Sequence, residues 1–284
     1  MEHYKKRLNT PGNRRWLKGS VAVNIAERGL SEFTSYKADR LMNSICNAIR
    51  NTIRRKLCQA SSSISKCTIC STANIVQCDS GNGICKPGRN KPCKLHYSAI
   101  TNQRVAYRQC PNHRCDIIRE YLKRLHRFGN PSWQNVNAQK WCLNAWQIAK
   151  AFFPKDGYID KETVDETDFN GIISFVINCR DFQQNFSANL SQPSNICTEA
   201  RDAGKELRHA NGLEVSEADL KTWFTALKAL FSDPTFKGAN AHAQYALDQL
   251  NMKHVLARLR HSDGFGNKLS YAYCTFVSSR SHTS

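Results

Sequence analysis

Residues 67–115 read CTICSTANIVQCDSGNGICKPGRNKPCKLHYSAITNQRVAYRQCPNHRC, with seven cysteines and two histidines in 49 residues. Two donors three residues apart can hold one ion from a tight turn, as tetrahedral zinc sites do. Such pairs occur in Cys67-x2-Cys70, Cys93-x2-His96 and Cys110-x2-His113. Polar and turn-forming residues fill the gaps, so the segment cannot close a hydrophobic core of its own. The pattern predicts a loop-rich module held together by zinc.

A disulfide framework and ordinary buried thiols are the alternatives to zinc. Disulfides belong to oxidising compartments, whereas the charged N-terminus has no apolar stretch after it and shows no secretory signal. The total of 13 cysteines is odd, which does not suit complete pairing. Zinc is therefore the favoured interpretation, and we expect an intracellular protein, cytoplasmic or nuclear.

The donors suffice for two structural zinc ions. A site of four cysteines, or of three cysteines and one histidine, leaves no position for water, so neither site is expected to be catalytic. The favoured partition places Cys67, Cys70, Cys78 and His96 around one ion, and Cys85, Cys93, Cys110 and Cys115 around the other. His113 is then the spare donor, and His126 and Cys142 are candidate substitutes.

Positive charge is confined to one part of the chain. Residues 1–130 hold 25 Lys and Arg against 7 Asp and Glu, whereas residues 131–284 hold 16 of each, so the net charge of +18 lies in the first part. Such a field attracts polyanions, and RNA is the expected partner. A solvated basic surface without a partner is the alternative. No membrane role is expected, because the longest apolar run, 172–177, cannot span a bilayer and no lipid anchor is evident.

Residues 1–60 are predicted to form a basic helical N-terminal region. An apolar stripe recurs every four residues, which indicates an amphipathic helix to about Gln59. Its members are Leu41, Ile45, Ile49, Ile53 and Leu57. We expect this helix to pack on the segment 16–30. Four cations lie mostly off the stripe and are candidate RNA contacts: Arg50, Arg54, Arg55 and Lys56.

The rest of the chain divides into a Cys/His-rich zinc module over 61–130, a helical bundle over 131–260 and a flexible tail over 261–284. Within the bundle the pattern predicts one helix from Trp141 to Phe152, ended by Pro154. A second helix is capped by Asp168, a third is opened by the Ser216 capping box and ended by 233–234, and a last runs over 239–260. The fold class is mainly α, with a helical N-terminus, the zinc-stabilised module and a C-terminal bundle.

The predicted helix 194–211 raises the question of catalysis. Arg201, Lys205, Arg208 and His209 gather on the face opposite its apolar side. A histidine beside cations can bind a phosphodiester and transfer its protons. The same pattern also suits a solvated polar face, which is the more common case.

The stretch DFNGIISFVIN from Asp168, the helix of 196–209 and the Trp223 helix together resemble a HEPN domain, closest to that of the DAZ-interacting zinc-finger ubiquitin ligase. Residues 110–115 and 133–154 are similar to an animal X-chromosome open-reading-frame family with clustered cysteines upstream of such a domain. The resemblance covers roughly residues 12–235. It implies a four-helix HEPN-like bundle that often dimerises and that binds or cleaves RNA without a metal.

The active HEPN motif is an arginine, a polar residue, three further residues and a histidine. On this chain the histidine matches His209, the arginine position is Gly204 and the polar position is Lys205. Glycine cannot bind phosphate through a side chain, and lysine lacks the bidentate fork of arginine. If the domain were active, His209, Lys205 and Arg201 would be the catalytic candidates. The departure at Gly204 predicts that cleavage is lost while RNA binding is kept.

Three functions follow from these patterns. The favoured one is a non-catalytic or weakly catalytic RNA-binding protein, with a place in innate defence suggested by the family association. The alternative is a protein-interaction adaptor without a nucleic-acid role. The third is a metal-independent HEPN ribonuclease.

Overall fold

A computed structural model describes residues 10–57, 67, 70–76, 97–98, 103–104, 110–111 and 113–251. One helix dominates this part of the chain: α1, Pro11–Leu57, has 47 residues and is about 70 Å long. The Thr10 hydroxyl accepts a hydrogen bond from Asn13 N at its start. The helix predicted to about Gln59 is confirmed as far as Leu57. Its predicted packing on 16–30 is wrong, because both segments belong to the same continuous helix and cannot face each other.

Four further helices pack around α1 and alongside one another. They are α5 (Phe169–Asn178), α6 (Ile196–His209), α7 (Glu217–Ser232) and α9 (Ala243–Asn251). The short α8, Pro234–Ala239, joins α7 to α9. The inner face of α1 is buried in this bundle at Ala26, Leu30, Ile45 and Ile49. The helix of the predicted N-terminal region and the helices of the predicted bundle therefore share one core.

Aromatic side chains fill the middle of that core. Phe175 packs edge-on against Phe182 with ring centroids 4.8 Å apart. Phe33 from α1 packs edge-on against Phe236 from α8 at 5.2 Å. Edge-to-face pairs of this kind stabilise a core beyond the area that they bury. Phe33 also packs against Phe182 at 5.8 Å, so α1 contacts the chain on both sides of α6.

The predicted helix starts are confirmed by their caps. Asp168 accepts a hydrogen bond from Gly171 N, and Ser216 accepts one from Asp219 N. Asn195 opens α6 with a complete capping box. Asp233 and Pro234 end α7 as predicted, but they also begin α8, because the Asp233 carboxylate accepts from Phe236 N.

The single helix predicted for 141–152 is wrong. This segment contains only a short helix, α4 (Ala145–Ala149), preceded by a 3₁₀ turn at Ala138–Lys140 and followed by another at Lys150–Phe152. The reason is local. Asn144 accepts a hydrogen bond from Trp146 N and so restarts the backbone as an N-cap in the middle of the apolar pattern.

The predicted zinc module is described only at its edges. The elements there are α2 (Thr72–Ile75), α3 (Arg114–Leu125) and an antiparallel strand pair, β1 (Tyr97–Ser98) with β2 (Gln103–Arg104). The predicted tail and the end of the last predicted helix lie outside the described residues. The mainly α fold class is confirmed. Within the described ranges, no helix combines the length and the apolar character that crossing a bilayer requires.

Candidate metal centre and cationic surfaces

Four cysteine thiols meet between α2 and α3. The Sγ atoms of Cys67, Cys70, Cys110 and Cys115 all lie within 4.8 Å of one another. The Sγ atoms of Cys67 and Cys110 are 3.9 Å apart. All four are free thiols, and the last three are buried. This group could hold a metal ion.

Hydrogen bonds fix the turns that carry these thiols. The Asp116 carboxylate accepts from Cys110 N, and the Cys110 carbonyl accepts from His113 N, so the backbone turns tightly into α3 and brings Cys115 to its first turn. His113 adopts a left-handed conformation with φ 56° to make this turn. Arg119 donates to the Ile75 carbonyl and pairs with Asp116 at 3.3 Å, which ties α2 to α3.

The environment of the thiols suits a cation. Burial, followed by the neighbouring thiols, raises the pKa of Cys70 to about 12. The same two causes raise the pKa of Cys115 still further. Four ionised sulfurs at this spacing repel one another unless a cation lies between them. Metal binding to the group would therefore release protons.

The predicted partition of the ligands is corrected by this geometry. It separated Cys110 and Cys115 from Cys67 and Cys70, but the structure places the four together. The spacing of donors cannot show which turns come together, because that depends on the path of the chain between Cys70 and Cys110. The other four predicted ligands, Cys78, Cys85, Cys93 and His96, lie outside the described residues.

The spare and substitute donors lie elsewhere. The His113 side chain is 61% exposed and is not part of the thiol group. His126 is buried and stacks on Phe152 with ring centroids 5.6 Å apart; burial, followed by Arg180, lowers its pKa to about 4. Cys142 is hydrogen-bonded to Cys46 of α1, and burial raises its pKa to about 11. Neither substitute belongs to the group of four.

The outer face of α1 carries a row of exposed polar and cationic side chains, here called the outer ridge. It consists of Tyr36, Arg40, Asn43, Asn47 and Arg50. These residues are spaced by intervals of four and three, so they share one helix face over about 21 Å. The exposed carboxylates of Glu32 and Asp39 lie along the same side of the helix, near the end of the ridge that begins with Tyr36. The ridge can contact a polyanion without displacing a buried group.

Internal contacts organise this ridge. The Arg40 guanidinium lies 5.8 Å from the Tyr36 ring centroid and donates to the Tyr36 hydroxyl. Arg50 donates to the Asn47 side chain at 2.8 Å. These contacts hold two guanidinium groups above the helix surface. Of the other predicted RNA contacts on α1, the side chains of Arg54, Arg55 and Lys56 lie outside the described residues.

The predicted ridge on α6 is more mixed in charge. Lys205 and His209 are exposed, while Arg201 and Arg208 are half-buried. Arg201 pairs with Asp202 at 3.5 Å. On the neighbouring side of the helix, Glu206 accepts a hydrogen bond from Trp223 Nε1. This face therefore presents carboxylates beside its cations.

Gly204 is buried under the ring of Phe169. A Cβ at this position would lie 3.0 Å from Phe169 Cδ1 and 3.2 Å from Cε1. The absence of a side chain at Gly204 therefore allows α6 to approach α5 closely. An arginine side chain here would have to push the Phe169 ring aside before reaching the ridge.

Glu27 is a half-buried titratable residue whose contact the sequence did not reveal. Its carboxylate on α1 accepts a hydrogen bond from Phe169 N at 2.9 Å, at the start of α5. Burial raises the pKa of Glu27 to about 7, and nearby Asp168 adds to the rise. Nothing in the local pattern distinguishes this glutamate from a solvated one, because its partner lies 142 residues away.

A family description, "Domain of unknown function (DUF4559)", matches residues 84–255, which is more than half of the chain. The chain belongs to this family. The DUF4559 match covers α3 to α9 together with Cys110 and Cys115. Cys67, Cys70 and the whole of α1 lie before it.

The chain is also similar to the mouse (Mus musculus) protein "Uncharacterized protein CXorf38 homolog". The two are 26% identical over 112 residues, which is 39% of this chain and 31% of the mouse protein. The chain thus covers less than a third of this curated relative. The similarity is consistent with the resemblance to an X-chromosome open-reading-frame family. No solved structure matches the chain.

Proposed function

We propose that this DUF4559 protein is a non-catalytic RNA-binding protein. The observation that carries the proposal is the outer ridge of α1, where two exposed arginines and a tyrosine share one face. Arginine neutralises phosphates, and an exposed aromatic ring stacks with unpaired bases. The α6 cations Arg201, Lys205 and Arg208, with His209, form a second and weaker contact surface. The excess charge of residues 1–130 supports the same assignment.

We propose zinc as the ion of the thiol group. A tetrahedral centre of four sulfurs with bonds of about 2.3 Å has sulfur–sulfur edges of about 3.8 Å. The distance of 3.9 Å between Cys67 and Cys110 supports this size. When bound, zinc would act structurally by fixing the turn at Cys67 and Cys70 to the start of α3. The remaining donors, Cys78, Cys85, Cys93 and His96, form the second site of this proposal.

A HEPN-type bundle without catalysis is the finer part of the proposal. Its support is the sequence resemblance over α5 to α7 and the burial of Gly204 at the motif's arginine position. His209 keeps its place at the end of α6, where it is exposed. With the arginine position occupied by the Phe169 contact, the α6 face lacks the group that would clamp a reacting phosphate.

An RNA titration tests the binding function. We expect single-stranded RNA to bind with an affinity that falls steeply as salt rises, measured by fluorescence anisotropy of a labelled oligonucleotide. An Arg40→Gln, Arg50→Gln double variant should bind more weakly. Its slope of log affinity against log salt should be shallower by about 1.4, since each lost phosphate contact removes about 0.7.

The control for this titration is Lys221→Gln, which removes an exposed cation from α7, outside the outer ridge. It should leave the affinity and the slope unchanged. Affinity that does not vary with salt would contradict the electrostatic mechanism and favour the adaptor function. Product formation without added metal, abolished by His209→Ala, would instead establish the ribonuclease.

Zinc analysis of the purified protein tests the metal site. We expect two zinc ions per chain, and one in a Cys115→Ser variant. Cys197→Ser is the matched control, because Cys197 is also a buried thiol but lies outside the group of four. Strong chelators should unfold residues 61–130. Folded, reduced protein without zinc would refute the assignment.

A further inference from the structure

A further cationic site lies where the chain leaves α3 and passes the end of α5. The Arg127 guanidinium is held by two hydrogen bonds, from Nε to the Ile177 carbonyl at 2.8 Å and from Nη1 to Ser191 Oγ at 2.7 Å. Arg180 Nη2 donates to the Arg127 carbonyl at 3.2 Å. Two arginines are thus brought together although 53 residues separate them.

The charge of this pair is not compensated within the described part of the chain. Neither Arg127 nor Arg180 forms an ion pair there, and Asp181, the residue after Arg180, pairs with Lys37 at 3.1 Å. Arg127 Nη2 is buried without a hydrogen-bond partner. Burial, together with the charge of Arg180, lowers the pKa of Arg127. Two neighbouring cations without a carboxylate create a place where an anion is stabilised.

The same loop exposes an aromatic side chain. Phe128 follows Arg127 directly and is 70% exposed, more than any other large hydrophobic side chain that the structure describes. Its backbone N–H donates to His126 Nδ1, and its ring lies edge-on to the His126 ring at 6.3 Å. The backbone of Phe128 is therefore anchored while one side of its ring faces solvent.

We propose that this loop binds one nucleotide of single-stranded RNA, with Arg180 on the phosphate and Phe128 stacked on the unpaired base. Arg127 is a positioning residue that supplies a fixed positive charge behind Arg180. An exposed ring beside a guanidinium suits an unpaired base, whereas a duplex keeps its bases stacked within the helix. The proposal rests on the RNA binding proposed above and adds a preference for single strands.

Paired probes test the site: a single-stranded RNA of roughly 12 nucleotides and the duplex of the same length. We expect Phe128→Ala to weaken single-strand binding by about 5- to 100-fold, with an unchanged salt slope and unchanged duplex binding, because stacking is not an ionic contact. Phe128→Trp should retain the wild-type affinity. Arg180→Gln should weaken binding and reduce the salt slope by about 0.7.

Tyr245→Ala is the matched control, since Tyr245 on α9 is 66% exposed but has no part in this site. Its affinity should equal that of the wild type, and circular dichroism should show that all variants fold. If the wild type binds single strands and neither Phe128→Ala nor Arg180→Gln changes the affinity, this inference is overturned while the RNA-binding function stands. If the wild type binds no RNA, the proposed function itself fails. Equal losses on single strands and duplex would overturn the base contact.

Discussion

Replacing Gly29 by alanine should destabilise the fold, although alanine is the better helix former. Gly29 lies where α1 crosses α7 and α9. A Cβ there would be 2.7 Å from Ala246 Cβ and 2.8 Å from Phe231 Cε1. Ala246 Cβ cannot move without the backbone of α9, and Phe231 is fully buried. Overpacking of this kind costs about 1–3 kcal/mol, and helix propensity returns about 1 kcal/mol. The expected net effect is therefore a loss of up to about 2 kcal/mol.

Gly238 on α8 provides the opposite case within the same protein. Nothing lies within 4 Å of a Cβ at this position, so Gly238→Ala should stabilise the fold by about 0.5–1 kcal/mol. Urea unfolding followed by far-UV circular dichroism, at equal metal content, measures both variants. A Gly29→Ala variant as stable as Gly238→Ala would refute the close approach of the three helices.

Three further changes test titration and packing. Glu27→Gln keeps a hydrogen-bond acceptor but removes the carboxyl whose pKa rises from 4.5 unfolded to about 7 folded. The stability that this pKa shift contributes is complete below pH 4.5 and is lost as pH rises through 7. The melting temperature of the variant should therefore depend less on pH, and at about pH 8 it should be higher than that of the wild type. His126 has its pKa lowered from 6.5 to about 4, so its contribution to stability is complete above pH 6.5 and is lost as pH falls through 4. His126→Phe should therefore remove this acid sensitivity. An unchanged acid profile of the melting temperature would contradict the burial of His126. Leu207 is 3% exposed, so Leu207→Ala should lower the free energy of unfolding in urea by about 2–5 kcal/mol. His209 is exposed, so His209→Ala should lower it by less than about 0.5 kcal/mol. Equal losses would show that α6 presents a different face to the core.

Local patterns predicted most helices correctly, because caps and apolar spacing are determined by neighbours in sequence. The starts at Asp168 and Ser216 are of this kind. The surface against which an apolar stripe packs is not determined by neighbours in sequence, since many surfaces can cover the stripe. Nothing in 16–57 breaks the helix, so the stripe of Leu41 to Ile49 packs on the later helices. At Asn144 the opposite error occurred: a local cap interrupts the apolar pattern, so the single helix predicted across this residue does not form.

The candidate sites show the same division. The sequence identified Cys67, Cys70, Cys110 and Cys115 as donors from their spacing, but it could not show which turns meet. The pairing of Arg127 with Arg180 is likewise non-local. Phe128 left a weak signal that could have been used, since it follows the cations Lys123, Arg124 and Arg127.

The charge asymmetry of the sequence is visible on α1. The helix carries ten Lys and Arg but only three Asp and Glu. Two of these acids contact later parts of the chain: Glu27 accepts from Phe169 N, and Glu32 pairs with His242 at 2.6 Å, while Asp39 is exposed beside the outer ridge. The outer ridge keeps its arginines. Because the packing of the apolar face determines which cations remain outside, RNA affinity in this proposal depends on the folded bundle as much as on the composition of α1.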